Sequence, residues 1–170
     1  EQIRNYKKHT MSIKIAIIMG SESDWDVMSN TSKTLKNLDI NHESRVISAH
    51  RTPDLLDEYI AQCEENGVQV IIAGAGLSAA LPGVIAAKTI IPVVGVPLIA
   101  GSLDGMDALM SIVQMPPGIP VGTVAIGKPG AINGALYAAA IMAITDSSIK
   151  NKLIEYRAAQ AQKVIEAQLG

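Results

Sequence analysis

The chain has 170 residues, 48% of them apolar and 18% charged, and a formal net charge of −2. That length fits one domain, the apolar fraction supports a sizeable core, and global disorder is excluded. The near-neutral balance argues against a protein that coats a polyanion, because nucleic-acid binders carry a basic excess.

In chain order, residues 1–10 (EQIRNYKKHT) are polar and lack the apolar stretch of a secretory signal. They are expected to be an extension, with residues 11–170 forming a single domain. The first strand is predicted over Ile13–Met19 and the first helix over Ser23–Leu38, with Trp25, Met28, Leu35 and Leu38 near helical spacing. His42–Ile47 alternates in polarity and reads as an edge strand. Over Pro53–Asn66, Leu55, Leu56, Tyr59, Ile60 and Cys63 make one helical stripe, and Gly67 follows as a stop. Cys63 is the sole cysteine, so no intrachain disulfide forms. Its place on the stripe marks it as core. With three histidines, a structural zinc cluster is not expected.

Val68–Ala73 is the third predicted strand, and Leu77–Lys88 holds a short helix starting near Pro82. Pro92–Pro97 and Pro120–Ile126 are the remaining strands, with a short helix over Gly105–Gln114 between them. Pro and Gly interrupt the apolar tract Ile91–Gly101, so no membrane span is expected. Gly130–Ile144 is a helix rich in Ala and Gly, suited to close packing. Thr145–Ser148 reads as a break and N-cap. Ile149–Leu169 is a last amphipathic helix, placed to cover an edge or reach a neighbouring subunit.

Near-continuous apolar strands alternating with helices define a doubly wound α/β fold with a parallel sheet. Ligands in such folds bind beyond the carboxyl ends of the strands. After the first strand, Gly20 permits a tight turn, and Ser21 and Ser23 offer hydroxyls beside a helix N-terminus, a plausible phosphate cradle. Asp24 would repel phosphate and suits sugar hydroxyls. The same Ser-x-x-Asp pattern also serves as ordinary N-cap chemistry.

After the second strand, Thr52-Pro53 is a good helix start, but Ser48, His50 and Arg51 are not needed for the turn. Arg51 can grip a phosphate or carboxylate with a planar fork of donors. His50 can exchange a proton near neutral pH. These two carry the functional reading. After the third strand, Gly74-Ala75-Gly76 matches a loose dinucleotide pattern, but no acidic residue ends the next strand. The glycines more reasonably admit a flat ligand. Lys128 is a second candidate cation or a solvated loop lysine. His9 and His42 read as surface histidines.

Four segments occur in a telling order: Gly20–Trp25; Ser48-Ala49-His50-Arg51-Thr52-Pro53; Gly74-Ala75-Gly76 with Leu81-Pro82-Gly83; and Ser111–Pro116 with Gly118–Val121. Together they resemble the bacterial N5-carboxyaminoimidazole ribonucleotide mutases of purine biosynthesis, from about Ile13 to the last helix. The resemblance implies a flavodoxin-like three-layer αβα fold with a C-terminal helix. It implies a homo-octamer with active sites at subunit contacts, and neither metal nor organic cofactor; the expected compartment, with no secretory signal and no membrane span, is the cytoplasm.

It implies a nucleotide substrate, and no nucleic-acid or membrane partner. The implied reaction moves a carboxylate from the exocyclic nitrogen to C4 of the imidazole through released carbon dioxide. By resemblance, His50 transfers protons. Ser21, Ser48 and Arg51 hold the 5′-phosphate, Asp24 holds the ribose, and Ser23 supports the turn. Gly74, Ala75 and Gly76 line the ring pocket. The family's third motif reads GAGGAAHLPG. Leu77, Ser78 and Ala80 depart from it, Ala80 standing where a second histidine is usual. Pro117 replaces a more usual Arg or Gly. A carboxylase that takes carbon dioxide directly, or a non-catalytic nucleotide binder, are the alternatives.

Overall fold

A computed structural model describes residues 12–168. The expected extension over residues 1–10, and Leu169 at the end of the last predicted helix, lie outside them. Five strands and six helices alternate: β1 (Ile15–Met19), α1 (Trp25–Asn37), β2 (His42–Val46), α2 (Pro53–Glu65), β3 (Val70–Ala75), α3 (Leu81–Ala86), β4 (Val93–Pro97), α4 (Met106–Val113), β5 (Gly122–Thr123), α5 (Lys128–Met142) and α6 (Ser147–Ile165). A 3₁₀ turn, Glu22–Asp24, leads into α1. All strand pairs are parallel, in the order β2-β1-β3-β4-β5. This is a flavodoxin-like α/β fold.

The period of two along each strand divides the core into two layers. Ile15, Ile17, Met19, Val70, Ile72, Val94 and Val96 pack with Met28 and Leu35 of α1 and the alanines of α5. Ala16, Ile18, Ile71, Ala73 and Val93 pack on the opposite face with α2, α3 and α4 through Leu56, Ile60, Ile85 and Ile112. β1 and β3 are buried at every position because both faces are covered. β2 is only partly buried, as its alternation predicts for an edge.

Small side chains in α5 let it approach both α1 and the sheet. Thr31 of α1 donates its buried hydroxyl to the Ala131 carbonyl at 2.8 Å. A Cβ on Gly134 would stand 3.3 Å from Val96 Cγ2. Gly95 in β4 is likewise required, since a Cβ there would run into Ile112 and lie 3.1 Å from Val121.

Two elements differ from expectation. The fifth strand shrinks from the predicted Pro120–Ile126 to Gly122–Thr123. It is an edge strand with one neighbour, and Pro120 has no N–H to donate. Past Thr123, Val124 N–H still reaches the Gly95 carbonyl at 3.2 Å, and Gly127 N–H reaches Pro97 at 2.8 Å, so the chain turns into α5. The last helix lies against α5, and Ile149 is its one buried residue. Asp146 caps it by accepting from Ser148 N–H at 2.9 Å and Ile149 N–H at 3.2 Å. Lys152 ties it to the Leu38 carbonyl and to Asp39.

Gly130 is the tightest point, because a Cβ there would overlap the Ala125 carbonyl. Gly130→Ala should therefore lower stability by about 3 kcal/mol, at the upper end of overpacking costs. A denaturant midpoint equal to that of the wild type would contradict this.

Candidate functional site

Three loops at the carboxyl ends of β1, β2 and β3 surround a cleft of about 590 Å³, with Ala100 after β4 closing one side. The β1 loop is held by its own backbone. Asp24 N–H donates to the Ser21 carbonyl at 3.2 Å, and Ser21 N–H donates to Asp24 Oδ2 at 3.0 Å. Ser21 and Ser23 pair their hydroxyls at 3.0 Å. The capping chemistry of Ser-x-x-Asp is thus present, and the Asp24 carboxylate already uses an N–H that a phosphate would need.

The β2 loop is a closed turn. Thr52 N–H donates to the Ser48 carbonyl at 2.9 Å, and Ser48 N–H donates to Thr52 Oγ1 at 3.0 Å. Arg51 N–H adds a bond to Ser48 Oγ at 3.2 Å. The turn presents His50 and Arg51 on its outer side. His50 is exposed and makes no hydrogen bond among the described residues, so both ring nitrogens remain open to a ligand. Arg51 joins two loops, with Nη2 donating to the Gly20 carbonyl at 2.7 Å and Nε donating to Ser48 Oγ at 3.4 Å.

The β3 loop supplies a mostly apolar wall: Ala75, Gly76, Leu77, Ser78, Ala79, Ala80 and Leu81. Gly76 is needed for the close approach of the next loop, since a Cβ there would stand 2.9 Å from Ala100 Cβ. Leu77 has φ +54°, a left-handed conformation that costs a residue bearing a Cβ roughly 1–2 kcal/mol. Ala80 is the N-cap of α3 and contributes a methyl group where a histidine would bring a donor.

Of the residues singled out from sequence, Ser21, Ser23, Asp24, Ser48, His50, Arg51, Ala75 and Gly76 come together on this cleft. Gly74 does not. It lies inside β3, where a Cβ would meet Met28 Sδ at 2.5 Å, so its lack of a side chain serves packing against α1. Lys128 begins α5 and is not part of the lining. The Ser111–Gly118 segment also lies outside it, Met115 packing near Gly83 instead. Ala49, Ala79, Leu81 and Ala100 were not singled out, because a small apolar wall carries no chemical signal. Among the described residues no cluster of three His, Cys, Asp or Glu side chains could hold a metal ion. No described helix is long and apolar enough to cross a membrane.

Partial burial raises the Asp24 pKa above its ordinary 3.8, against the opposing pull of the Ser21 and Gly20 backbone donors and of Arg51. The site therefore keeps a half-buried carboxylate beside a guanidinium, one acceptor and one cation within a single cleft.

Sheet order and a cleft at the carboxyl ends of the strands define a flavodoxin-like α/β protein with a ligand-sized site, and comparison with known proteins says which family it belongs to. The family model described as AIR carboxylase matches residues 14–163, and the chain belongs to that family. It is 54% identical over 153 residues to the N5-carboxyaminoimidazole ribonucleotide mutase of Escherichia coli K12, covering 90% of each chain. It is 56% identical to the protein of the same name from Pyrococcus abyssi, over 85% of this chain and 82% of that one. The crystal structure of Treponema denticola PurE superposes with a TM-score of 0.82 at 30% identity, covering 89% of this chain and 94% of that chain.

The raised Asp24 pKa means the folded state holds the proton more tightly than the unfolded state does. Ionised Asp24 then costs stability at neutral pH, and the cost disappears as pH falls through the folded pKa into the range below 3.8. Asp24→Asn keeps an acceptor for Ser21 N–H, so it should melt at or above the wild-type temperature near neutral pH, with the difference closing in acid. A variant that is less stable at neutral pH and equal in acid would reverse the sign.

Proposed function

We propose that the chain is an N5-carboxyaminoimidazole ribonucleotide mutase of purine biosynthesis. The observation that carries the reading is 54% identity, over 90% of both chains, to a protein of that name. The cleft supports it, because it gathers a free imidazole, a guanidinium, hydroxyls and an apolar wall.

In this reading Arg51 and the Ser21 and Ser48 hydroxyls hold the 5′-phosphate. Two N–H groups of Arg51 are used within the protein, and the others remain for the anion. Asp24 accepts from the ribose hydroxyls. The ring lies along Ala75 and Gly76. His50 gives a proton to the exocyclic nitrogen as its bond to the carboxylate breaks, releasing carbon dioxide. Ring carbon C4 then attacks the carbon dioxide, and His50 takes the proton from that carbon. The proton lent in the first half returns in the second, so no co-reactant is consumed.

Residues 11–170 act in this reading as one catalytic domain. The enzyme works in the cytoplasm as a homo-octamer, with the open side of each cleft at a subunit contact. Apolar side chains left exposed at Ile99, Leu103, Met106, Met110 and Val113 support such assembly, and the last three form one stripe on α4.

The assay feeds either the N-carboxylated ribonucleotide or aminoimidazole ribonucleotide with bicarbonate. Efficient turnover of the first is expected, and turnover of the second alone would make the chain a direct carboxylase. His50→Asn should abolish turnover while the ribonucleotide still binds by calorimetry. Normal turnover by that variant would remove the proton shuttle. Arg51→Ala should weaken ribonucleotide binding by about 1.5–3 kcal/mol, the worth of a charged hydrogen bond, and leave the dephosphorylated nucleoside unaffected. Equal losses for both ligands would take the phosphate away from Arg51.

A further inference from the structure

Leu77 keeps a left-handed backbone, φ +54°, without the burial that normally compensates such strain, since the residue is 55% exposed. What it touches is the neighbouring loop. A Cβ built on Gly101 would fall 3.0 Å from Leu77 Cδ2, and Gly101 is itself left-handed at φ +78°. One residue further in, Gly76 abuts the same stretch of chain, a Cβ there lying 3.3 Å from the Leu98 carbonyl oxygen. The loops leaving β3 and β4 therefore run side by side. Ala75, Gly76, Leu77 and Ala100 form one continuous wall of the cleft. Leu77 is the branched apolar side chain where that wall meets solvent.

We propose that Leu77 is a positioning residue that straps the β3 loop to the β4 loop and seals this wall, holding freed carbon dioxide beside the ring until C4 captures it. The inference rests on the mutase reading. The isobutyl group reaches across the seam toward Gly101, with Leu77 Cδ2 3.0 Å from where a Gly101 Cβ would stand. A sealed, dry wall favours recapture over escape.

The test is the partition of turnovers in bicarbonate-free buffer, counted as aminoimidazole ribonucleotide released per carboxylated product formed. Leu77→Gly should raise that ratio several-fold while melting no lower than the wild type, because the strain is gone. Leu77→Met should keep the wild-type ratio. Gly101→Ala should also raise it by displacing Cδ2, and the double variant Leu77→Gly/Gly101→Ala should leak no more than Leu77→Gly alone. An unchanged ratio in Leu77→Gly overturns the proposal, as does an additive double variant. If the wild type turns over neither substrate, the mutase reading fails instead. The dissociation rate of aminoimidazole ribonucleotide then decides the strap: several-fold faster release from Leu77→Gly upholds it, and equal release overturns it.

Discussion

Right-handed crossovers between parallel strands force a change of winding direction at β1, and the cleft depends on that change. The chain leaves β1 toward β2 with α1 on one face, then returns past β1 to β3 with α2 on the other. The loops after β1 and β3 thus diverge to opposite faces and leave a crevice between them. Everything that bears chemistry hangs from its rim. Had the strands been ordered consecutively, the same loops would have left along one face with no gap between them.

On the β2 side of that crevice Arg51 does two jobs with one planar group. It ties the loop after β2 to the carbonyl of Gly20 after β1, and it sets a positive charge beside the half-buried Asp24. A guanidinium can do both because its donors point in several directions at fixed angles. The self-closed Ser48–Thr52 turn spares His50 any structural duty. The result is a rigid pair, one cation committed to its frame and one imidazole committed to nothing.

Much of this was legible in the residues. β1 and β3 announce two covered faces by unbroken Ile, Val and Ala, and β2 announces an edge by alternation. Asp146 was readable as a cap and Pro82 as a helix start. β5 was not legible: PVGTVAI has the composition of a strand, but its length depends on how the chain re-enters α5 against Gly130. At the site, charged and hydroxyl residues were found because their chemistry is not needed to turn the chain. Gly74 was assigned to the pocket from its place in a glycine motif. Its partner is Met28, forty-six positions away in sequence, and only the helix laid across the sheet brings the two together. The alanines of the wall have no chemistry to announce them.

α1 opens at Trp25, the sole tryptophan of the chain, bonded through the backbone to Asp24 and left 40% exposed. With no phenylalanine and four tyrosines, nearly all long-wavelength ultraviolet emission comes from that one indole. That single indole follows Asp24 directly in the chain, so light from the unlabelled protein reports on the turn that carries the cleft's carboxylate.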